Sequence, residues 1–220
     1  MFTRRILSSL FSKKFLSGNK KKIMIGCIAG LWLAMVSAGT LLMLGYANTP
    51  NQDGLPPDHW PDSSQLVQNQ DQPTLIMFIH PHCPCSRASI GELAVLMAHC
   101  QGRVTMHVLF LRPAGMPLEW IRTDLWRDAS AIPGVKVYCD DEGREARRFH
   151  IETSGDTALY DAKGQLLFHG GITGSRGHSG DNAGRDDVEA LLFNKTIPQN
   201  HTPAFGCSLF DTECADTTAE

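Results

Sequence analysis

From Pro73 onwards, apolar positions recur in two alternating rhythms. Leu75-Ile76-Met77-Phe78-Ile79 is an unbroken apolar run of strand length, which predicts a strand buried on both faces. Ile90, Leu93, Ala94 and Met97 then share one face of a helix near 86–99, stopped by Gly102. Val104, Met106, Val108 and Phe110 keep a period of two and predict a second strand. Leu118, Ile121 and Leu125 predict a helix over 117–130, and Val135 to Cys139 a third strand entered through the Pro133-Gly134 turn. Asp140 or Asp141 is placed to cap a short helix that ends near His150. Thr157–Tyr160 and Gln165–His169 flank Asp161-Ala162-Lys163-Gly164, the signature of a hairpin. A Gly-rich loop, Gly170 to Gly184, leads to a last helix near 185–194. The predicted order is β-α-β-α-β-α-β-β-α, an α/β domain over residues 73–197 without internal repeats.

The pattern ahead of this domain is different. Residues 1–22 contain seven basic residues and no acidic one, and Ile23 to Ala47 carries no charge. About 20 apolar residues span a bilayer as a helix, so 23–47 reads as a single transmembrane helix. The only charges between Asn48 and Gln72 are Asp53, Asp58, Asp62 and Asp71. Basic residues before the span and none soon after it place 1–22 in the cytoplasm as a basic tail. The domain then faces the far side, the periplasm of a bacterial inner (cytoplasmic) membrane. A cleavable signal peptide, cut before Asn48, is the competing reading, but a signal core is about 7–15 residues. Residues 48–72 hold four prolines and no periodicity, and read as a flexible linker. Residues 198–220 form a Cys-containing tail.

The formal net charge is −3, and without the N-terminal positives residues 23–220 carry −10. Such a surface repels phosphate backbones and excludes a nucleic-acid role. Of seven cysteines, Cys27 lies in the span, and the remaining six reach an oxidising compartment that permits disulfides. Cys100 continues the apolar helix face and reads as a core residue, and Cys139 ends a strand.

The chemistry concentrates at His80-Pro81-His82-Cys83-Pro84-Cys85-Ser86-Arg87, between the first strand and the first helix. Unpaired N–H groups and the helix dipole favour an anion there, and a thiolate is the reactive form of cysteine. With Cys83 as N-cap, Pro84 takes the first helical position, where its missing N–H costs nothing. Cys83 is then the expected exposed nucleophile and Cys85 the resolving thiol. A bridge between them closes a very small loop and is strained, hence oxidising. His82 and His80, when protonated, are expected to favour the thiolate, and Arg87 to add a weaker field. A second reading uses His80, His82, Cys83 and Cys85 as ligands for copper or zinc.

The element order, with cysteines at the first strand–helix junction, resembles the thioredoxin superfamily, and the extra βα unit at 135–150 resembles its TlpA-type membrane-anchored branch. "HPHCPCSRAS", "LYDAKGQLLFHGGITGSRGHSGDNAG" and "TPAFGC" resemble the bacterial RedB-like proteins. The resemblance covers about residues 73–210. It implies a thioredoxin-like three-layer fold after a single transmembrane helix, and a thiol-disulfide oxidoreductase acting on protein thiols or disulfides without a cofactor. Two departures stand out. One residue, not two, separates the cysteines, and no proline precedes the hairpin strand, where Asp156 or Thr157 falls instead.

By the same resemblance, Asp156, Thr157, Gly170 and Gly171 border a substrate groove, the glycines permitting close backbone approach. The rest of the Gly-rich loop, with Arg176, His178, Asp181 and Asn182, reads as a flexible connection in which Asp181 or Asn182 caps the last helix. Cys207 and Cys214 are expected to form a disulfide staple in the tail, with Cys207 as an extra resolving thiol for the alternative.

Overall fold

The structure, a computed structural model, describes residues 3–52 and 54–210, with side chains from residue 20 onwards. It divides into two units, Met1–Tyr46 and Ala47–Glu220. The first is most of one helix, α1 (Thr3–Asn48). Its stretch Lys20–Asn48, 29 residues that contain an 18-residue window of mean hydropathy 2.0, has the length and composition to cross a membrane.

The second unit is built on a six-stranded mixed sheet. Its elements are β1 (Thr74–Ile79), α2 (Ser86–His99), β2 (Thr105–Arg112), α3 (Asp124–Ala131), β3 (Val135–Asp141), α4 (Arg144–Arg148), β4 (Asp156–Tyr160), β5 (Leu166–Gly171), α5 (Ala183–Leu192) and β6 (His201–Thr202). The strand order is β3-β2-β1-β4-β5-β6. β1, β2 and β3 run parallel, while β4 is antiparallel to both β1 and β5. Alternation along the central strand explains its continuous apolar run. Leu75, Met77 and Ile79 pack against α2, α3 and α5, whereas Ile76 and Phe78 face Phe149, Ile151 and Tyr160 on the other side. Helices therefore cover both faces of the sheet, the three layers expected.

Three expectations are corrected by packing. The helix over 117–130 is broken into a 3-10 turn, Leu118–Trp120, and α3, because Thr123 takes extended backbone between them. Thr123 starts α3 without a side-chain cap hydrogen bond, β-branched Thr is a poor helix interior residue, and the break turns Trp120 towards the His80 and His82 rings.

The described part of 48–72 is docked rather than free. Leu55 N–H donates to the His150 carbonyl (3.1 Å), Trp60 N–H to that of Gly164 (2.8 Å), and the Tyr160 hydroxyl to that of Pro57 (3.0 Å). Trp60 meets Phe149 and Tyr160 edge-on. The segment satisfies its backbone groups with the domain instead of with a ladder of its own, so no sequence period marks it.

The tail from 198 likewise joins the domain. β6 adds to β5 in parallel, and Leu209 is buried beside Ile76 and Phe149.

Candidate active site at Cys83

β1 delivers the chain to His80 at the end of the sheet, and α2 leaves from it. Between them Cys83 N–H donates to the His80 carbonyl (3.0 Å), and Ser86 N–H to that of Cys83 (3.2 Å). This 3-10 turn contains Pro84 and makes Cys85 the helix N-cap, with φ −67° and ψ −29°, so the expectation of Cys83 as N-cap is corrected. Cys83 is also not exposed. Its residual accessibility is 1%, whereas Cys85 is half-buried.

What covers Cys83 is the strap 203–209 from the tail. Cys207 N–H points at Cys83 Sγ from 3.4 Å. Ser154 N–H holds the Cys207 carbonyl (2.8 Å), and Leu209 N–H reaches that of Glu152 (2.8 Å). Arg176 donates to the Gly206 carbonyl. Gly206 lies so close to Ser154 that a Cβ there would stand 1.8 Å from the Ser154 carbonyl oxygen.

Donors surround the buried sulfur. The Cys207 thiol and N–H and the Ser86 hydroxyl and N–H all favour the Cys83 thiolate, outweigh the cost of burying charge, and bring its pKa down to about 5. The half-buried Cys85 moves the other way, raised by desolvation and by the neighbouring Cys83, with Arg176 opposing. The two thiols of the motif are thus driven apart, one ionised and one protonated near neutral pH. Ser154 ties the site together. Its hydroxyl lies 2.7 Å from the Ser86 hydroxyl and accepts from His80 N–H at 2.7 Å.

Comparison with known proteins finds matches among solved structures. No family model and no curated protein matches the chain. Among solved structures, an uncharacterized conserved protein from Geobacillus kaustophilus aligns at 19% identity and a TM-score of 0.52, covering 74% of this chain and 92% of its own. A hypothetical protein from Sinorhizobium meliloti aligns at 21% identity and 0.53, covering 74% and 93%. A secreted disulfide oxidoreductase from Mycobacterium tuberculosis aligns at 15% and 0.41, covering 58% and 84%. Parallel β2-β1 beside the antiparallel pair β4-β5, with α2 joining β1 to β2, decides the class. The fold is thioredoxin-like.

In this thioredoxin-like frame the thiols occupy the first strand–helix junction, and Thr153-Ser154-Gly155 precedes the hairpin strand beside them. The groove residues do not border open space. Thr157 is buried and donates to the Gly170 carbonyl (2.6 Å), and Asp156 is 1% exposed. Gly170 has φ +127° and a Cβ there would stand 1.9 Å from the Thr202 carbonyl oxygen, so the close approach is made by β6 of the chain itself. The tail occupies the edge assigned to a substrate.

The charged neighbours are redistributed as well. His80 is 5% exposed, and burial lowers its pKa, so it faces Cys83 as a neutral ring rather than a cation. His82 is exposed, with Nε2 3.1 Å from the Trp120 carbonyl oxygen and its ring against the indole. Arg87 pairs with Asp124 and Asp128 and clamps α2 to α3, leaving thiolate stabilisation to Ser86 and Cys207. Among the described residues, no three His, Cys, Asp or Glu side chains converge as a metal-ligand set.

The Gly-rich loop is pinned rather than flexible. Asn182 does cap α5, accepting from Arg185 N–H at 2.8 Å, and Glu92 on α2 holds Gly180, Asn182 and Arg185 together. Cys100 is fully buried as expected, and Cys139, bonded to Asp141, has its pKa pushed up to about 12. Cys214 lies outside the described residues, so the Cys207–Cys214 pairing falls there too, while Cys207 itself sits on Cys83. Sequence reasoning passed over Ser86, Ser154, Trp120 and the contact of Arg176 with Cys85. Ser86 had a signal in its place next to the motif; the others come from distant segments and had none.

Proposed function

We propose that this chain is a membrane-anchored, extracytoplasmic thiol-disulfide oxidoreductase in which the Cys-Pro-Cys motif supplies the attacking thiolate from Cys83. One observation carries the reading: the Cys83 sulfur sits among hydrogen-bond donors from Ser86 and Cys207, with its pKa brought to about 5, in a site where the thiol of Cys85 stays protonated. A thiolate so stabilised attacks a disulfide sulfur, forms a mixed disulfide and releases a thiol. A second thiol then resolves the mixed disulfide, and the reaction needs no organic cofactor. The partners are protein thiols or disulfides of the exported compartment, and the quoted motifs favour a TlpA-type, RedB-like branch.

Placement follows from charge. The seven basic residues before Ile23 and the acidic residues after Ala47 favour a cytoplasmic N-terminus in a bacterial inner membrane, with the domain in the periplasm. A reporter fused after residue 72 is expected to be active only in its exported form; a cytoplasmically active fusion reverses the placement.

Copper or zinc carriage through His80, His82, Cys83 and Cys85 is the competing reading, and His82 separates the two. A redox enzyme that lacks His82 keeps its thiolate donors, so His82→Ala is expected to retain insulin-reduction activity within about tenfold. A metal site loses one of its few bonds and its affinity collapses. A wild-type chain without exchange activity that binds one Cu(I) tightly, and loses it on His82→Ala, makes the protein a metal carrier.

A further inference from the structure

Two thiols compete to be the disulfide partner of Cys83. Cys85 is nearer in sequence, and its thiol is hydrogen-bonded to Cys83. Cys83 and Cys85 sit two residues apart around a 3-10 turn, with Pro84 between them and the Ser86–Cys83 hydrogen bond closing it. A disulfide between residues two apart closes a very small loop and is strained.

Cys207 approaches from an independent segment. The strap brings its N–H to 3.4 Å from Cys83 Sγ, and hydrogen bonds on both sides fix it there, Ser154 to the Cys207 carbonyl and Leu209 to Glu152. An isolated bridge between Thr153 and Ser208 sets its register, and Gly206 permits the close approach to Ser154. The Cys207 thiol also hydrogen-bonds to the Cys83 sulfur, and because it comes from outside α2 and β1 a bond between the two does not close across the tight turn.

We infer that the strap cysteine Cys207, rather than Cys85, is the resolving thiol of this protein, and that its oxidised form carries a Cys83–Cys207 disulfide. The inference rests on the proposed thiol-disulfide exchange and names the second half of it. In the reductive direction, Cys83 thiolate attacks a substrate disulfide, its S–S bond breaks, and the departing substrate thiolate takes the proton of Cys207. Cys207 thiolate then attacks Cys83 Sγ, releases the second substrate sulfur as a thiolate and closes the Cys83–Cys207 bond. Two electrons pass from the Cys83/Cys207 pair to the substrate disulfide, and a dithiol reductant of the compartment restores the pair. Because Cys83 is buried beneath the strap, the strap lifts to admit the substrate, and its return carries the resolving thiol to the mixed disulfide.

The test uses the full chain in detergent micelles. Protein oxidised with glutathione disulfide is alkylated, digested without reductant and mapped by mass spectrometry. Wild-type chain and Cys85→Ser are both expected to yield a Cys83–Cys207 cross-linked peptide. In Cys207→Ser, which keeps the N–H that seats the strap, the glutathione adduct on Cys83 should persist at least tenfold longer than in Cys85→Ser. A Cys83–Cys85 bridge in the wild-type chain, no internal disulfide at all, or clearance of the adduct from Cys207→Ser at the wild-type rate overturns the inference. The bond map is separate from turnover. A Cys83–Cys207 bridge in a chain that does not reduce insulin keeps the inference and removes the function, whereas insulin reduction through a Cys83–Cys85 bridge does the reverse.

Discussion

Replacing Cys83 with serine is expected to abolish disulfide exchange and, with it, a large part of the pH dependence of stability. The pKa falls from 9.0 to about 5 on folding, driven first by the Cys207 thiol and then by Ser86 against the desolvation of a buried sulfur. A depressed acid stabilises the fold when it is ionised. Between pH 5 and 9 the unfolded chain therefore binds a proton that the folded chain does not, and stability rises with pH across that window. The slope is on the order of 1.4 kcal/mol per pH unit from this one group. The contribution is fully present above pH 9 and is lost as pH falls through about 5. Urea unfolding of wild type and Cys83→Ser at a series of pH values isolates it, because the other titrating groups are nearly common to both. Parallel curves for the two proteins between pH 5 and 9 show that Cys83 is not ionised in the fold. The same thiolate gives the rate of alkylation at Cys83 a midpoint near pH 5, ahead of Cys85, with Cys100 unreactive until the chain unfolds.

The second large effect lies away from the thiols. Glu92 is 3% exposed on α2 and accepts from Gly180 N–H, the Asn182 amide and the Arg185 guanidinium, whose side chain is itself only 11% exposed. Glu92→Ala strands a nearly buried guanidinium and two further donors, which costs about 3 kcal/mol. That is the low end for such a break, because Asp181, Asp186 and Glu189 still surround Arg185. The double variant Glu92→Leu/Arg185→Leu removes both charges together and should recover most of the loss. An additive double variant shows that the pair is not coupled. Loosening this loop also reaches the site, since Arg176 lies in it and holds the strap at Gly206. Glu92→Ala is therefore expected to speed the alkylation of Cys83 as well.

Local chemistry by itself determined much of this protein. The unbroken run 75–79 and the alternation at 104–110 predicted β1 and β2 because strands record their burial in residue order. The helical face ending in Cys100 predicted α2 and its buried thiol, and Asp140 or Asp141 was legible as a cap, the role that Asp140 takes by accepting from Glu145 and Ala146 N–H. Ile23 to Ala47 was legible as a helix able to span a membrane because a bilayer demands length and apolarity of a single segment. The Cys-Pro-Cys motif located the chemistry because its two cysteines are close in the chain.

Only the tertiary structure decided how that chemistry is set up. Whether Cys83 is exposed depends on a strap 120 residues and more further on, and whether its thiol ionises depends on donors from Ser86 and Cys207. His80 and Arg87 looked like cationic neighbours in sequence, yet burial lowers the pKa of one and Asp124 engages the other. The docking of 54–66, the closure of the groove by β6 and the pinning of the Gly-rich loop by Glu92 are likewise contacts between distant segments. Periodicity reports which face of an element is buried, but it carries no record of which remote backbone group or side chain completes the site.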